Sequence, residues 1–301
     1  MRPRDQELAQ QLEAALVQFD ANNISLPGVA DKAARGPFIE QLLESVRRVA
    51  YPSRIATREI SPRRADPSDE LFDPIRAAIF SRRSGDVEEA FWLVFLFVHF
   101  GRHRKGGYRY ARHLYGRLGQ GRWDWQSVSS NPAAFRSWFD ANRDAFTDEV
   151  PHGFGNHRKR ESLSETGRVV ESYVNWVAPP RSHNELMSEA LQRSGDDARR
   201  AFDDLYRGMS VGSFGRTARF DYLTMVGKLG LSPIEPGSTY LSGATGPLTA
   251  ARLLFGVTDR PVDLNRALVE LDLKLNVGMQ VLEDALCNWQ KSPSVFKPFR
   301  S

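Results

Sequence analysis

Apolar residues recur along this chain at the spacing of one face of an α-helix, and this periodicity constrains the fold more than any other feature. Leu8, Leu12, Ala15, Leu16 and Phe19 form one stripe, and Ile39, Leu42, Leu43 and Val46 form the next. Phe202, Leu205, Tyr206 and Met209 repeat the spacing, as do Leu264, Leu268, Leu271 and Leu275. Residues three and four apart share a helix face, so each stripe predicts an amphipathic helix turned toward a core. No stretch shows sustained period-two alternation bounded by tight-turn dipeptides. Leu and Ala together number 57 against 16 for Ile and Thr, and Cβ-branched residues suit strands better than helices. The expectation is an all-α protein, a bundle of about a dozen helices separated by short Pro/Gly breaks.

A 301-residue chain that is 41% apolar can bury a real core. No linker divides it, so residues 1–301 read as one α-helical functional unit. Residues 51–70, with three Pro and many charges, and 148–167, containing HGFGNHRKRESLSET, read as loops. The single Cys287 excludes a disulfide scaffold and argues against a structural zinc or an iron–sulfur cluster. The longest apolar run, Ala90 to Phe100, is about half of what a membrane helix needs. The opening MRPRDQELAQ lacks the apolar region of a secretory signal. A cytoplasmic protein with no membrane partner is expected.

The net charge of +4 hides an uneven distribution. The first hundred residues sum to −2, the second hundred to +5 and the remainder to +1. Between Glu89 and Asp124 stand 34 residues without an acid, carrying Arg102, Arg104, Lys105, Arg109, Arg112, Arg117, Arg122 and three His. Tyr108, Tyr110, Tyr115, Trp123 and Trp125 are interleaved with them. Cations and aromatic faces together suit nucleic acid, through phosphate neutralisation and stacking on unpaired bases. The other reading is a solvated helix face, around Gly107–Leu118, whose aromatic residues belong to the core. His99, His103 and His113 lie among cations without Asp, Glu or Cys, so no metal site is expected. The loop Pro151–Leu163 could bring His157, Arg158 and Lys159 to a phosphate backbone. In Ser213–Leu231 an apolar side leaves Arg216, Arg219 and Lys228 on or near another, and Asp221 among these bases is a structural ion-pair candidate more than a catalytic one.

Tyr240–Leu268 is the most specific segment. It reads as a helix end, a Gly-rich turn, and a second helix starting at Pro247. The pattern S-G-A-T-G-P-L-T-A resembles the DNA-binding helix-hairpin-helix form L-P-G-V-G-x-x-T-A, with Gly246, Thr249 and Ala250 in register and Gly243 and Thr245 in the turn. Glycine permits such a turn and lets backbone N–H groups approach phosphate at the following helix N-terminus. In helix-hairpin-helix DNA glycosylases of the endonuclease III type, a similar loop leads to a V-D-containing segment whose aspartate is catalytic. That resemblance places Asp263 at the carboxylate position, with the cap of a new helix as its other reading. The loop here is a few residues shorter. Leu248 stands where bifunctional members carry a Schiff-base lysine, which implies a monofunctional enzyme. Glu283 and Asp284, adjacent on an apolar helix, are further carboxylate candidates if one is buried with a shifted pKa; ion pairing is the alternative for each.

The blocks FGRHRKGGYRYARHLYGRLGQ, FGNHRKRESL, VVESYVNWV, SFGRTARFDYLTMVGKLGL, IEPGSTYLSGATGPLTAARLLFG and NVGMQVLEDALCNWQKSP resemble the bacterial alpha-glutamyl/putrescinyl thymine pyrophosphorylase family, clade 3, from about residue 35 onward. The resemblance implies a divergent branch of the helix-hairpin-helix DNA glycosylase fold, with residues 195–291 as the hairpin-containing half. It implies double-stranded DNA with a modified base as partner and no cofactor. The activity expected is excision of a flipped, modified pyrimidine from DNA, phage DNA in a bacterial defence role, with Asp263 stabilising an oxocarbenium-like transition state. The alternatives are a transferase substituting the 5-methylene group of a hypermodified thymine, served by Arg/Lys clamps on a leaving phosphate, and a non-catalytic module that binds modified DNA.

Overall fold

The computed structural model describes residues 5–146, 153–155, 162–256 and 261–298. It is all-helical, 67% helix, with no strand among the described residues. The first helices are α1 (Gln6–Asn22), α2 (Lys32–Val49), α3 (Tyr51–Ile55), α4 (Pro74–Arg83) and α5 (Val87–Phe100). Next come α6 (Arg109–Tyr115), α7 (Trp125–Ser130), α8 (Pro132–Asn142), α9 (Thr166–Val177) and α10 (His183–Arg193). The last are α11 (Ala198–Gly208), α12 (Arg216–Lys228), α13 (Gly246–Phe255), α14 (Pro261–Leu275) and α15 (Met279–Trp289). No described helix is long and apolar enough to cross a membrane.

Two compact units divide the chain. One comprises Met1–Tyr51 and Pro236–Arg300, the other Pro52–Glu235. The expected half at 195–291 coincides with neither: residues 195–235 pack in the second unit and 236–291 in the first.

In the first unit, the stripes of α1, α2 and α14 meet in one core with α13 and α15. Leu12, Leu16, Phe19, Phe38, Leu42, Leu268 and Leu271 are buried there. A 3₁₀ turn at Pro27–Val29 packs against α13 so closely that a methyl group on Gly28 would collide with the Leu253 carbonyl.

The second unit is organised around α5. Its run AFWLVFLFVHF is apolar on all sides, the mark of a helix buried on all sides, and Phe91, Trp92, Leu93, Val94 and Phe95 are fully enclosed. Helices α4, α6, α7, α10 and α12 pack around it, and Tyr173 of α9 stacks on Phe95 with ring centroids 4.0 Å apart.

The loop expected at 51–70 holds α3 and a 3₁₀ turn, Pro62–Arg64. In the second expected loop, residues 147–152 and 156–161 lie outside the described residues. Phe154 is buried, and the Gly155 N–H donates to the Phe100 carbonyl at 2.8 Å.

Candidate active site

The N-terminus of α5 places two consecutive glutamates at a cleft of about 1170 Å³ that lies wholly within the second unit. Asp86 caps the helix by accepting from the Glu89 N–H at 3.1 Å. That cap fixes Glu88 and Glu89 in the first turn, with side chains about 100° apart around the axis. Each carboxyl then meets the start of a different helix.

Glu88 lies against the start of α10. Its Oε2 accepts from the His183 backbone N–H at 2.9 Å and from His183 Nδ1 at 2.7 Å, and its Oε1 accepts from the Asn184 N–H at 3.3 Å. Burial pushes the Glu88 carboxyl up, but the His183 and Asn184 contacts together outweigh it and hold the group below the usual range. Burial also lowers the His183 pKa, against the pull of Glu88. Burial therefore favours the neutral ring, and the Glu88 anion accepts hydrogen bonds from His183 and Asn184.

Glu89 is only 6% exposed. Its Oε2 accepts from the Trp125 N–H at 2.7 Å, at the start of α7, and the carboxyl also takes a hydrogen bond from the Tyr115 hydroxyl. Its Oε1 meets no hydrogen-bond partner among the described residues. Burial pushes the carboxyl up to about 7, with Asp124 and Asp86 adding to the rise and the Trp125 and Tyr115 bonds opposing it. Two adjacent carboxyls are thereby driven apart, one anionic and one poised near neutrality, the arrangement that assigns base and acid roles in a site.

Behind the pair runs a buried chain: His183 Nε2 lies 2.6 Å from the Tyr173 hydroxyl, itself 2.9 Å from the Tyr222 hydroxyl. Arg63, Arg122 and Arg181 reach the cleft walls. Arg181 is committed to the end of α9, donating to the Val177 and Trp176 carbonyls and pairing with Glu189 at 2.9 Å. Arg63 pairs with Asp69 at 2.6 Å. Arg122 is held more loosely, 3.9 Å from Asp66 and over the Tyr115 ring.

The expected DNA-contacting residues fall elsewhere. A tight loop follows α5, closed by reciprocal 2.9 Å backbone bonds between His103 and Gly107 and by His103 Nδ1 accepting from the Gly106 N–H. It exposes Arg102, Arg104 and Lys105. Helix α6 carries Arg109 and Arg112, both half-buried. That helix ends at Tyr115, because Arg117 and Leu118 adopt positive φ, so the helix expected around Gly107–Leu118 stops short of Arg117. Stacking on bases is corrected for four of the five aromatics: Tyr110, Tyr115, Trp123 and Trp125 are core residues. Arg216 lies over the Phe220 ring, and Arg219 is spent on the Phe214 and Tyr206 carbonyls. His157, Arg158 and Lys159 lie outside the described residues.

The expected hairpin has its turn and second helix but no first helix. Residues 236–245 contain no helix. Pro233 and Pro236 remove backbone donors and bias the residues before them toward extended conformations. Leu241–Ala244 form a turn with Gly243 at φ +75°. Gly246 opens α13, Thr245 caps it without a side-chain bond, and the Thr249 hydroxyl donates back to the Thr245 carbonyl at 2.9 Å. Asp263 is exposed in the first turn of α14, inside the helix rather than at its cap. Asp284 is tied to Arg48 by bonds of 2.5 and 3.1 Å between α15 and α2, the ion-pair reading of that residue. Glu283 and Asp221 are half-buried on α15 and α12. The residue after Asp221, Tyr222, is the one that turns inward to the buried chain. Of the four candidate carboxylates, none lines the cleft that holds Glu88 and Glu89.

Compared with family models, residues 33–301 match alpha-glutamyl/putrescinyl thymine pyrophosphorylase clade 3. The chain belongs to this family. No curated protein and no solved structure is significantly similar to it. The family's description names a thymine modification, which sets the chemistry to be sought in the cleft.

Sequence reasoning passes over Glu88, Glu89 and His183, and uses Glu89 only as the limit of the acid-free run. A signal is present: Glu89 is in line with Trp92, Leu93 and Leu96 at i+3, i+4 and i+7, so it shares a face with core residues. Tyr173 and Tyr222 fall within the blocks VVESYVNWV and SFGRTARFDYLTMVGKLGL that carry the family resemblance.

Proposed function

We propose that this clade 3 member acts on a 5-substituted thymine in duplex DNA, exchanging the substituent on the 5-methylene carbon with Glu89 as general acid–base. The observation that carries the reading is the buried carboxyl of Glu89, poised near pH 7 beside anionic Glu88 in a large cleft. The family description pairs glutamyl and putrescinyl groups, both amine-derived, with pyrophosphate. These are the incoming and leaving groups of one substitution. A primary amine would attack the methylene carbon, the C–O bond to pyrophosphate would break with its electron pair, and ionised Glu89 would take the amine proton. Run in reverse, protonated Glu89 returns that proton to the departing amine. Arg122 and Arg63 at the cleft would bind the pyrophosphate, guanidinium being suited to bidentate phosphate contact. A base in duplex DNA must leave the stack to reach such a cleft, at a cost of a few kcal/mol.

DNA would be held by the exposed loop carrying Arg102, Arg104 and Lys105, with Arg109 and Arg112 beyond it. The loop sits at the opposite end of α5 from Glu89, roughly 20 Å away at 1.5 Å per residue. That separation spans about six base steps of a single strand. In the other unit, Gly243, Thr245, Gly246 and Thr249 at the start of α13 would offer a second backbone contact, as helix N-termini do.

Excision is a second reading, favoured by the split carboxyl pair, because N-glycosidic cleavage also uses one acid and one stabilising anion. It fits a role against modified phage DNA, with Glu88 or Glu89 rather than Asp263 as the stabilising carboxylate, since Asp263 does not line the cleft. The test uses duplexes carrying 5-hydroxymethyluracil or its pyrophosphate ester, incubated with primary amines, followed by mass spectrometry of nucleosides and free bases. Substitution yields a nucleoside heavier or lighter by the exchanged group. Free base with an abasic site would establish excision instead, and unchanged DNA with retained binding would leave only a binding module.

A further inference from the structure

Adjacent carboxyls in one cleft compete for a proton, and a site that depends on their difference needs something to decide which keeps it. We infer that His183, with Tyr173 and Tyr222 behind it, is the positioning residue that makes Glu88 the standing anion of the cleft and leaves the exchangeable proton to Glu89. The inference extends the reading of the cleft as the active site, and only its activity arm rests on that reading.

The hydrogen-bond directions are set by elementary bookkeeping. Glu88 Oε2 lies 2.7 Å from His183 Nδ1. A neutral imidazole that donates from Nδ1 must present a lone pair at Nε2. Tyr173, 2.6 Å away, therefore donates its O–H to Nε2, and its oxygen is left to accept from the Tyr222 O–H at 2.9 Å. The Phe91 carbonyl, 3.5 Å from the Tyr173 hydroxyl, is a longer second acceptor beside Nε2, and the chain ends on the carboxylate. His183 and Tyr222 are fully buried, and the imidazole is clamped between Phe91, parallel at 4.8 Å, and Trp125 at 4.4 Å. A ring held in this way cannot rotate to release the carboxylate. Glu89 has no such backing: among the described residues Trp125 and Tyr115 donate to it, and its Oε1 is unmet.

The charged groups facing the pair reinforce the division. Asp86 of α5 and Asp124 at the start of α7 act against ionisation of Glu89. From α10, Glu185 adds a negative neighbour to Glu88, and Arg181 stands at the same wall. Arg122 acts on Tyr115. Helix α4 contributes Phe80 and Ser81 to the cleft and its C-cap Ser84, while Arg63 and Asp66 line the cleft from the 3₁₀ turn Pro62–Arg64 and the residues after it.

The test is a carboxyl-carbon NMR titration of ¹³C-glutamate-labelled full-length protein, with Glu88→Gln and Glu89→Gln assigning the two signals. In the unsubstituted protein Glu88 should titrate well below Glu89. His183→Phe, checked for folding by circular dichroism, should raise the Glu88 midpoint by about one pH unit, the effect of losing a hydrogen bond to the charged form. His183→Asn, which keeps a donor near the Nδ1 position, should restore it. Tyr173→Phe should move Glu88 in the same direction by less. A merely structural role for His183 would lower the thermal midpoint in these variants without moving either carboxyl. An unmoved Glu88 in folded His183→Phe, or a Glu89 that titrates at or below Glu88 in the unsubstituted protein, would overturn the inference. If His183→Phe does not fold, Tyr173→Phe decides in the same two directions. Activity is read separately as the pH profile of base modification: its acidic limb should follow Glu89, which must be ionised to take the amine proton, and should steepen where Glu88 protonates, at a higher pH in His183→Phe than in the unsubstituted protein. Expected titrations in a protein that leaves every modified duplex unchanged would sink the active-site reading and leave the positioning network standing.

Discussion

Glu89 costs the folded state free energy, and the sign of that cost is checkable. Its folded carboxyl is pushed up to about 7, above the value of about 4.3 for an unfolded glutamate. A carboxyl raised on folding stabilises the protonated native state, so its effect is harmless below the unfolded pKa. The penalty grows as pH rises through the folded value and is complete above it. At full ionisation it is about 4 kcal/mol. Glu89→Gln should therefore be more stable than the unsubstituted protein at pH 8 and equal to it near pH 4, measured by urea denaturation across that range. A difference that is flat with pH would mean that Glu89 is not buried as a neutral acid.

Little of this is legible in the chain. The sequence marks Glu89 and Asp124 as the borders of an acid-free run, and both border the cleft, but as a charge pattern they say nothing of burial. The partners that bury Glu89 and anchor Glu88 arrive from 36 and 95 residues away, a separation that local periodicity does not encode. The carboxylates that draw attention in the sequence are those beside recognisable motifs. Asp263 is exposed and Asp284 is an ion-pair partner.

Among elements, α5 joins the two proposed functions, with the carboxyl pair at its first turn and the basic loop after its last. Replacing Arg102, Arg104 and Lys105 together by Gln should weaken duplex binding and lower its salt dependence. The log–log slope should fall by about 0.9 for each phosphate that is no longer neutralised. The Glu89 titration should stay where it is. Fluorescence anisotropy over a salt series measures the slope, and an unchanged slope would remove the loop from the interface. Gly155 supports this loop: a Cβ there would collide with the Arg102 carbonyl. Gly155→Ala should destabilise by about 1–3 kcal/mol, as overpacking does, visible as a lowered thermal midpoint.

Helix placement is legible because 3.6-residue periodicity is a local property. Leu264, Leu268, Leu271 and Leu275 are all buried on α14. The hairpin misleads for a related reason. A Gly-rich turn before a helix is common to many folds, and the prolines at 233 and 236 forbid the helix that the motif needs on its other side.

For the whole molecule, helical content follows from composition and spacing, whereas the division into units does not. The first unit joins the two ends of the chain, and no composition shift marks the boundaries at residues 51 and 236. The family match spans 33–301, and so draws on both units. On the proposed reading, one buried glutamate in the second unit performs chemistry on a thymine substituent. The most direct measurement compares the initial rate of base modification, by nucleoside mass spectrometry on a 5-pyrophosphoryloxymethyluracil duplex with a primary amine, for the unsubstituted protein, Glu89→Gln and Asp263→Asn. A loss of about 100-fold or more is expected in Glu89→Gln, the range of general acid–base catalysis, with DNA binding retained and Asp263→Asn near full rate. Full activity in Glu89→Gln, or activity lost in Asp263→Asn alone, would contradict that reading.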